Sequence, residues 1–324
     1  MHHHDMMNKL GRHTMLIKNV LIAFLVPLPS IIFYLSFIIN YSISTCHPLL
    51  LVNLLFFFNV NLLFWLIAQI QSSHWMIDPY WTVIPVMLVH YYSSHPLALA
   101  NYNCWRSRMV MLLTWVWSIR LFHNYLRREN WQWGAREDWR FTDMSQQHGK
   151  NWWWASFFSI YLPHQLLLIG LSLPLYVIHS VNHPLNIWDL VAVLVCLSGI
   201  LVAYFADTQL YNFVNKKKKK KEGRMILESG LWYYSRHPNY FGEQLWWWGL
   251  VVFAWNLGHG WTFIGASANT MCLGYVTKLV EHRMLKQENR AEAYRMYQRT
   301  TSVWIPCFKF NSSASNLRLK NKNT

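Results

Sequence analysis

Charge is what this chain lacks most. Only 13% of its 324 residues are Asp, Glu, Lys or Arg, and just 14 are acidic. A soluble domain carries about 25% charged residues, so too little polar material is present to cover a soluble surface of this size. Cysteine is scarce as well. Cys46, Cys104, Cys196, Cys272 and Cys307 are odd in number and far apart, with no C-x-x-C pair, which excludes a disulfide framework and a zinc knot. No metal site is expected, and His2–His4 is too short to argue for one. With 13 Gly and 11 Pro, neither collagen nor a Pro/Gly-rich disordered chain fits. What the sequence has instead is 53% hydrophobic residues, including 20 Trp, 17 Tyr and 18 Phe. Aromatic rings gather at the membrane–water boundary, and the composition is that of an integral membrane protein.

Crossing about 30 Å of hydrocarbon takes roughly 20 apolar residues. The stretches 16–39, 49–70, 81–100, 109–125, 153–178, 187–206, 240–257 and 261–280 meet or approach that length. The expected fold is all-α, a polytopic transmembrane helical bundle of about 7–8 spans, seven if 81–100, interrupted by Pro85, His90 and Pro96, is re-entrant. The first stretch exceeds a signal-peptide core and lacks a small-residue cleavage site, so it is expected to be a span. Basic residues set the orientation. The 29 Lys and Arg give a net charge of +15, concentrated before residue 19, near 127–140, in the run Lys216–Lys221, and after 278. An even span count puts all four clusters, and both termini, in the cytosol, with Arg106 and Arg108 the exceptions outside. Such clusters attract anionic membrane lipid. No groove-reading motif accompanies them, so no nucleic-acid partner is expected. No internal repeat is visible. The organisation is a polar tail (1–15), apolar N-terminal helices (16–104), a C-terminal region (105–308) and a basic tail (309–324).

A charge inside hydrocarbon costs at least a few kcal/mol and marks a site. The segment 230–249, GLWYYSRHPNYFGEQLWWWG, is the most informative. Pro238 is suited to the first turn of a new helix. That places Arg236 and His237 before a helix N-terminus, whose free N–H groups attract anions. Asn239 and Glu243 are then i and i+4, while Tyr240, Glu243 and Trp247 share a face. Polar residues that merely cap one another are the alternative reading at this point. Other groups near the cytosolic ends are Arg120, Asn124 and Arg127, spaced i, i+4, i+7; Asp138 and Arg140 in the following loop; Asp207, Gln209 and Tyr211 after the sixth span; and Lys278 with Glu281, which a local ion pair explains equally well. Together they describe a polar pocket with phosphate-capable arginines, walled by apolar helices.

The elements 207–213 (DTQLYNF), GLWYYSRHPNYFGEQLWWWGL, 281–285 (EHRML) and 294–308 ending in WIPCF, with EDWRF at 137–141, resemble the DUF1295 family. That family groups with the C-terminal region of steroid 5-alpha-reductase-type membrane proteins, and the likeness covers about residues 105–308. The resemblance implies a multi-helix fold that binds NADPH from the cytosol beside a lipid-accessible cavity for a hydrophobic enone, a lipid or a sterol, in the endoplasmic reticulum membrane. Asn239, Tyr240 and Glu243 match the family's Asn-[Tyr/Phe]-x-x-Glu, Asp207 the acidic residue ahead of it, and Arg236 and His237 its R-H-P. Arg120 and Asn124 match more loosely. The family's steroid reductases carry a histidine where Glu281 aligns.

The chemistry implied is hydride transfer to a carbonyl-conjugated C=C bond. Glu243 and Tyr240 would be the hydrogen-bond donors to the carbonyl oxygen, with burial keeping the Glu243 carboxyl protonated near pH 7. The cofactor would be held by Arg120, Asn124, Arg127, Asp138, Arg140, Asp207, Gln209, Tyr211, Arg236, His237, Asn239, Lys278 and Glu281. R-H-P-x-Y-x-G also occurs in S-adenosylmethionine-dependent membrane methyltransferases of prenylcysteine or phospholipid type, and a non-catalytic sterol-binding protein could keep the fold. The Asp207-x-Gln209-Leu210 element and the surplus of arginines favour NADPH.

Overall fold

The computed structural model describes residues 18–19, 21–22, 47–95, 102–132, 134, 136–219 and 226–309. Apart from residues 18–19 and 21–22, the expected first span lies outside the described residues, as do the polar tail 1–15 and residues 310–324. Among the described residues the chain is helical, without a strand; one isolated parallel bridge joins Ser235 to Ser302.

Helix α1 (Pro48–Gln71) is followed by α2 (Ile77–Ser94), α3 (Cys104–Arg128), α4 (Trp139–Ile178), α5 (Ile187–Lys219), the short α6 (Leu231–Tyr234), α7 (Pro238–Asn256), α8 (Phe263–Leu285) and α9 (Glu288–Thr300). Three of them are long and apolar enough to cross a membrane: α1, α4 and the stretch Ile187–Lys216 of α5. The expected stretches 109–125, 240–257 and 261–280 also lie in helices, α3, α7 and α8. Polar residues at the ends of these helices, such as Arg127, Arg128, His282 and Arg283, dilute their apolar character.

Two compact units make up the chain. The first comprises Met1–Asp189 and Phe253–Gly265; the second comprises Leu190–Val252 and Ala266–Thr324. In the first, α2 packs along α3, and the second half of α4 packs against α2. Two π-helical turns, Phe57–Leu63 in α1 and Phe157–Tyr161 in α4, meet each other. Such turns relax the helical ladder where side chains need extra room; there Trp65 donates to the Trp153 carbonyl at 3.0 Å.

Arg106, read as an exception to the charge rule, is fully buried. Its guanidinium grips Asp189 in a two-pronged pair, Nε to Oδ1 at 2.6 Å and Nη2 to Oδ2 at 2.9 Å, and donates to the carbonyls of His183 and Pro184. Asp189 also accepts from the Asn186 N–H at 3.0 Å while Asn186 Oδ1 accepts from Trp188 N–H, a capping box that opens α5. The arginine's charge is thus met by a carboxylate within the protein.

In the second unit, α5 and α7 touch backbone to backbone. A Cβ on Gly199 would fall 2.6 Å from the Gly242 carbonyl oxygen and the Trp246 nitrogen; one on Gly249 would fall 2.5 Å from Cys196 Sγ. Small residues at helical spacing permit this approach, the usual basis of tight helix pairing in a membrane.

Candidate functional site

The site is built on the break between α6 and α7. As expected, α7 begins at Pro238, and the His237 carbonyl accepts its first helical bond, from Phe241 N–H at 3.1 Å. The backbone ahead of the break has no helical partner, and it finds one in the C-terminal segment. Arg236 N–H donates to Ser302 O at 2.9 Å, His237 N–H to Val303 O at 3.0 Å, and Cys307 N–H to Tyr234 O at 3.0 Å. Tyr297 Oη adds hydrogen bonds to the carbonyls of Trp232 and, at 3.0 Å, Ser235.

Arg236 is the centre of this knot. Its Nε donates to Glu281 Oε1 at 2.8 Å, and its Nη1 to the carbonyls of Gln298 and Thr301, both at 2.8 Å. His237 Nε2 lies 3.1 Å from the same Glu281 oxygen, and Gln298 Nε2 donates to the other at 2.8 Å. Glu281 follows directly on the apolar stretch that ends at Val280. Burial alone would raise its carboxyl, but the hydrogen bond from His237, the Arg236 charge and the Gln298 bond outweigh that and hold it at about 2. Arg236, expected to bind phosphate, is thus committed to a carboxylate and two carbonyls. Glu281 pairs with Arg236 and His237 rather than with Lys278, which is exposed.

The His237 ring stacks on Tyr240, centroids 5.1 Å apart at 15°. Asn239 Nδ2 donates to Asp207 Oδ1 on α5 at 3.2 Å, which joins two residues singled out separately in the sequence. Asn239 Oδ1 is buried and, among the described residues, has no hydrogen-bond partner. Gln209 caps the start of α6, its Oε1 accepting from Leu231 N–H at 2.9 Å. It lies over Gly230, which sits at φ +65, where a Cβ would meet the Gln209 side chain at 2.6 Å. Tyr211 is half-buried.

Beside the break is a cavity of about 600 Å³, a size typical of small-molecule sites. Its walls are mostly apolar, with Phe213 and Val214 from α5, Trp232 from α6 and Val280 from α8; its polar lining includes His237, Asn239 and Tyr240. Glu243, expected to share this space with Tyr240, is half-buried and lies outside the lining. The sequence reading missed the α9 wall, Arg290, Tyr294 and Tyr297. Their i, i+4, i+7 spacing on one helix face was the available signal.

The remaining expected residues belong to the first unit. Arg120 and Arg127 are buried on α3, and Arg127 Nε donates to Asn124 Oδ1 at 3.0 Å. Asp138 caps α4 through Arg140 N–H at 2.8 Å and pairs with the Arg140 guanidinium at 2.9 Å. The Arg127–Asn124 and Arg140–Asp138 pairs are internal to that unit.

Fold and site together define the class: an all-helical membrane protein with an apolar, aromatic-walled cavity at a broken helix. The family model described as "Protein of unknown function (DUF1295)" matches residues 64–301, and the chain belongs to that family. The match begins well upstream of residue 105. A fission-yeast relative, the uncharacterised protein C594.04c of Schizosaccharomyces pombe, is 25% identical over 223 residues, 62% of this chain and 63% of its own length. The aligned region thus spans less than two thirds of that relative. No solved structure matches.

Proposed function

We propose that this protein is a membrane-embedded, NADPH-dependent oxidoreductase that reduces a carbonyl-conjugated C=C bond of a hydrophobic substrate, in the endoplasmic reticulum membrane with its site open to the cytosol. The observation that carries the reading is the cavity itself: apolar walls large enough for a lipid body, with a phenol, an imidazole and an amide from the first turn of α7 in its lining.

The fit to the cofactor is tested by Asn239. Its buried, unpartnered Oδ1 is an acceptor suited to the carboxamide N–H of a nicotinamide, and Asp207 holds the amide in that orientation from the other side. Asn239 and Tyr240 would hold the nicotinamide end; Arg236 has too few free donors to take a phosphate as well. When bound, NADPH supplies the hydride. The chain's own part is to exclude water with Trp232, Phe213 and Val280, and to present the Tyr240 hydroxyl to the substrate carbonyl. Stacking on His237 fixes the Tyr240 ring, so that O–H can stabilise the negative charge growing on the oxygen. Glu243, one turn along α7, stands outside this lining and takes no part in that contact.

Dye-based melting of the detergent-solubilised protein tests the reading, because a ligand that prefers the native state raises its melting temperature. NADPH is expected to stabilise it and S-adenosylmethionine is not, and NADPH oxidation should follow addition of an enone lipid, whether a sterol, a polyprenal or a 2-enoyl thioester. Stabilisation by S-adenosylmethionine alone, or by neither, would overturn the proposal.

A further inference from the structure

Arg290 sets this cavity apart from a purely greasy one. It lies in the first turns of α9 and lines the cavity beside Met284 and Tyr294. The other arginines described at buried positions of known pairing are neutralised, Arg106 by Asp189 and Arg236 by Glu281. Arg290 is half-buried, and among the described residues its side chain has one hydrogen-bond contact, from Nη1 to Met284 Sδ at 3.6 Å; its Nε is buried without a partner. A guanidinium presents a planar fork matched to carboxylate and phosphate oxygens, and a thioether is a poor substitute for either.

Two demands therefore meet in one space. The Arg290 fork asks for an anion, while Leu210, Phe213, Val214 and Val280 ask for hydrocarbon. A neutral sterol would leave the fork unanswered, and a ligand that is polar along its whole length would waste the walls. We infer that the cavity takes an amphiphile with an acidic head, phosphate or carboxylate, docked on Arg290, and its hydrocarbon body along the α5 and α8 walls. The inference rests on the proposed function only in reading this cavity as the substrate's; it narrows the substrate class to acidic lipids.

Calorimetric titration of the full chain in a neutral detergent provides the test, with hexadecyl phosphate, hexadecanol and inorganic phosphate as probes. Hexadecyl phosphate is expected to bind the wild type and to bind Arg290→Gln about tenfold or more weakly, the effect of losing a charge-assisted pair. Arg290→Lys should fall between them, and hexadecanol should bind all three alike and more weakly. Since the one hydrogen bond of the Arg290 side chain among the described residues is to a sulfur atom, these variants should melt close to the wild type. Equal binding of hexadecyl phosphate to Arg290→Gln overturns the inference. So does hexadecanol binding as tightly as hexadecyl phosphate, or inorganic phosphate matching it, which would mean a site for a free anion. The two proposals fail separately. Arg290-dependent binding with no NADPH oxidation on any enone sinks the reductase alone. Turnover of neutral enones with KM unchanged in Arg290→Gln sinks the acidic-head assignment alone.

Discussion

Replacing Glu281 by Gln removes one negative charge from the centre of the α7–α9 knot while keeping the shape of the side chain. In the wild type the carboxylate receives Arg236 Nε, His237 Nε2 and Gln298 Nε2. Its ordinary value is 4.5, and the fold holds it at about 2; that difference corresponds to about 3 kcal/mol of native-state stabilisation. Removing one partner of a buried pair leaves the other charge uncompensated, a loss of about 3–5 kcal/mol. The two routes agree, and in a chain of this size about 3 kcal/mol lowers the melting temperature by about 4–5 °C. The sign of the pH dependence follows from the depressed folded-state value. The stabilisation is complete above about 4.5 and is lost as the pH falls towards 2. Melting curves of wild type and Glu281→Gln, taken from pH 7 to pH 2.5 in one detergent, should therefore be furthest apart at neutral pH and converge in acid. Other carboxyls titrate in both proteins and drop out of the difference. A neutral-pH gap under 1 °C, or one that stays constant down to pH 2.5, would refute the assignment of Glu281 as the counter-charge of Arg236.

Asp189→Asn should cost about 3 kcal/mol or more, because it leaves the fully buried Arg106 without its carboxylate; a melting temperature equal to the wild type's would contradict the pair. Gly242→Ala drives a methyl group to within 2.6 Å of the Ala203 nitrogen and 2.7 Å of the Gly199 carbonyl, and a loss of about 1–3 kcal/mol is expected, read as a lower melting temperature. Tyr240→Phe should slow single-turnover hydride transfer about 100-fold or more, whereas Glu243→Gln, outside the cavity lining, should cost less; if neither changes the rate, the proposed chemistry is wrong. Asn239→Leu should abolish stabilisation by NADPH while leaving the binding of hexadecyl phosphate intact, as the acidic head is assigned to Arg290 on α9 and the nicotinamide to Asn239 on α7.

Much of the fold was legible because its signals are local. Apolar length marks α1, α4 and α5, and Pro238 marks the start of α7, since the first helical turn is where a proline fits best. The likeness to the family rested on the same kind of signal, contiguous motifs such as SRHPNYFGE. The pairing of Asp207 with Asn239 was half legible: each was picked out as polar at a helix end, but their contact depends on Gly199 and Gly242 letting α5 and α7 close together.

What an arginine does was not legible at all. Arg236, Arg106 and Arg290 carry the same fork. Arg236 turned out to be tied to a carboxylate 45 residues away, Arg106 to one 83 residues away, and Arg290 to a sulfur atom. The sequence by itself determined that charges would lie among apolar helices, because hydrophobic length and helix punctuation are properties of neighbouring residues. Only the tertiary structure decided which of those charges are neutralised within the protein and which remain open to a ligand, since an ion pair is made by whatever acid the packing brings within about 3 Å, and that distance is not encoded in any stretch of chain around the arginine.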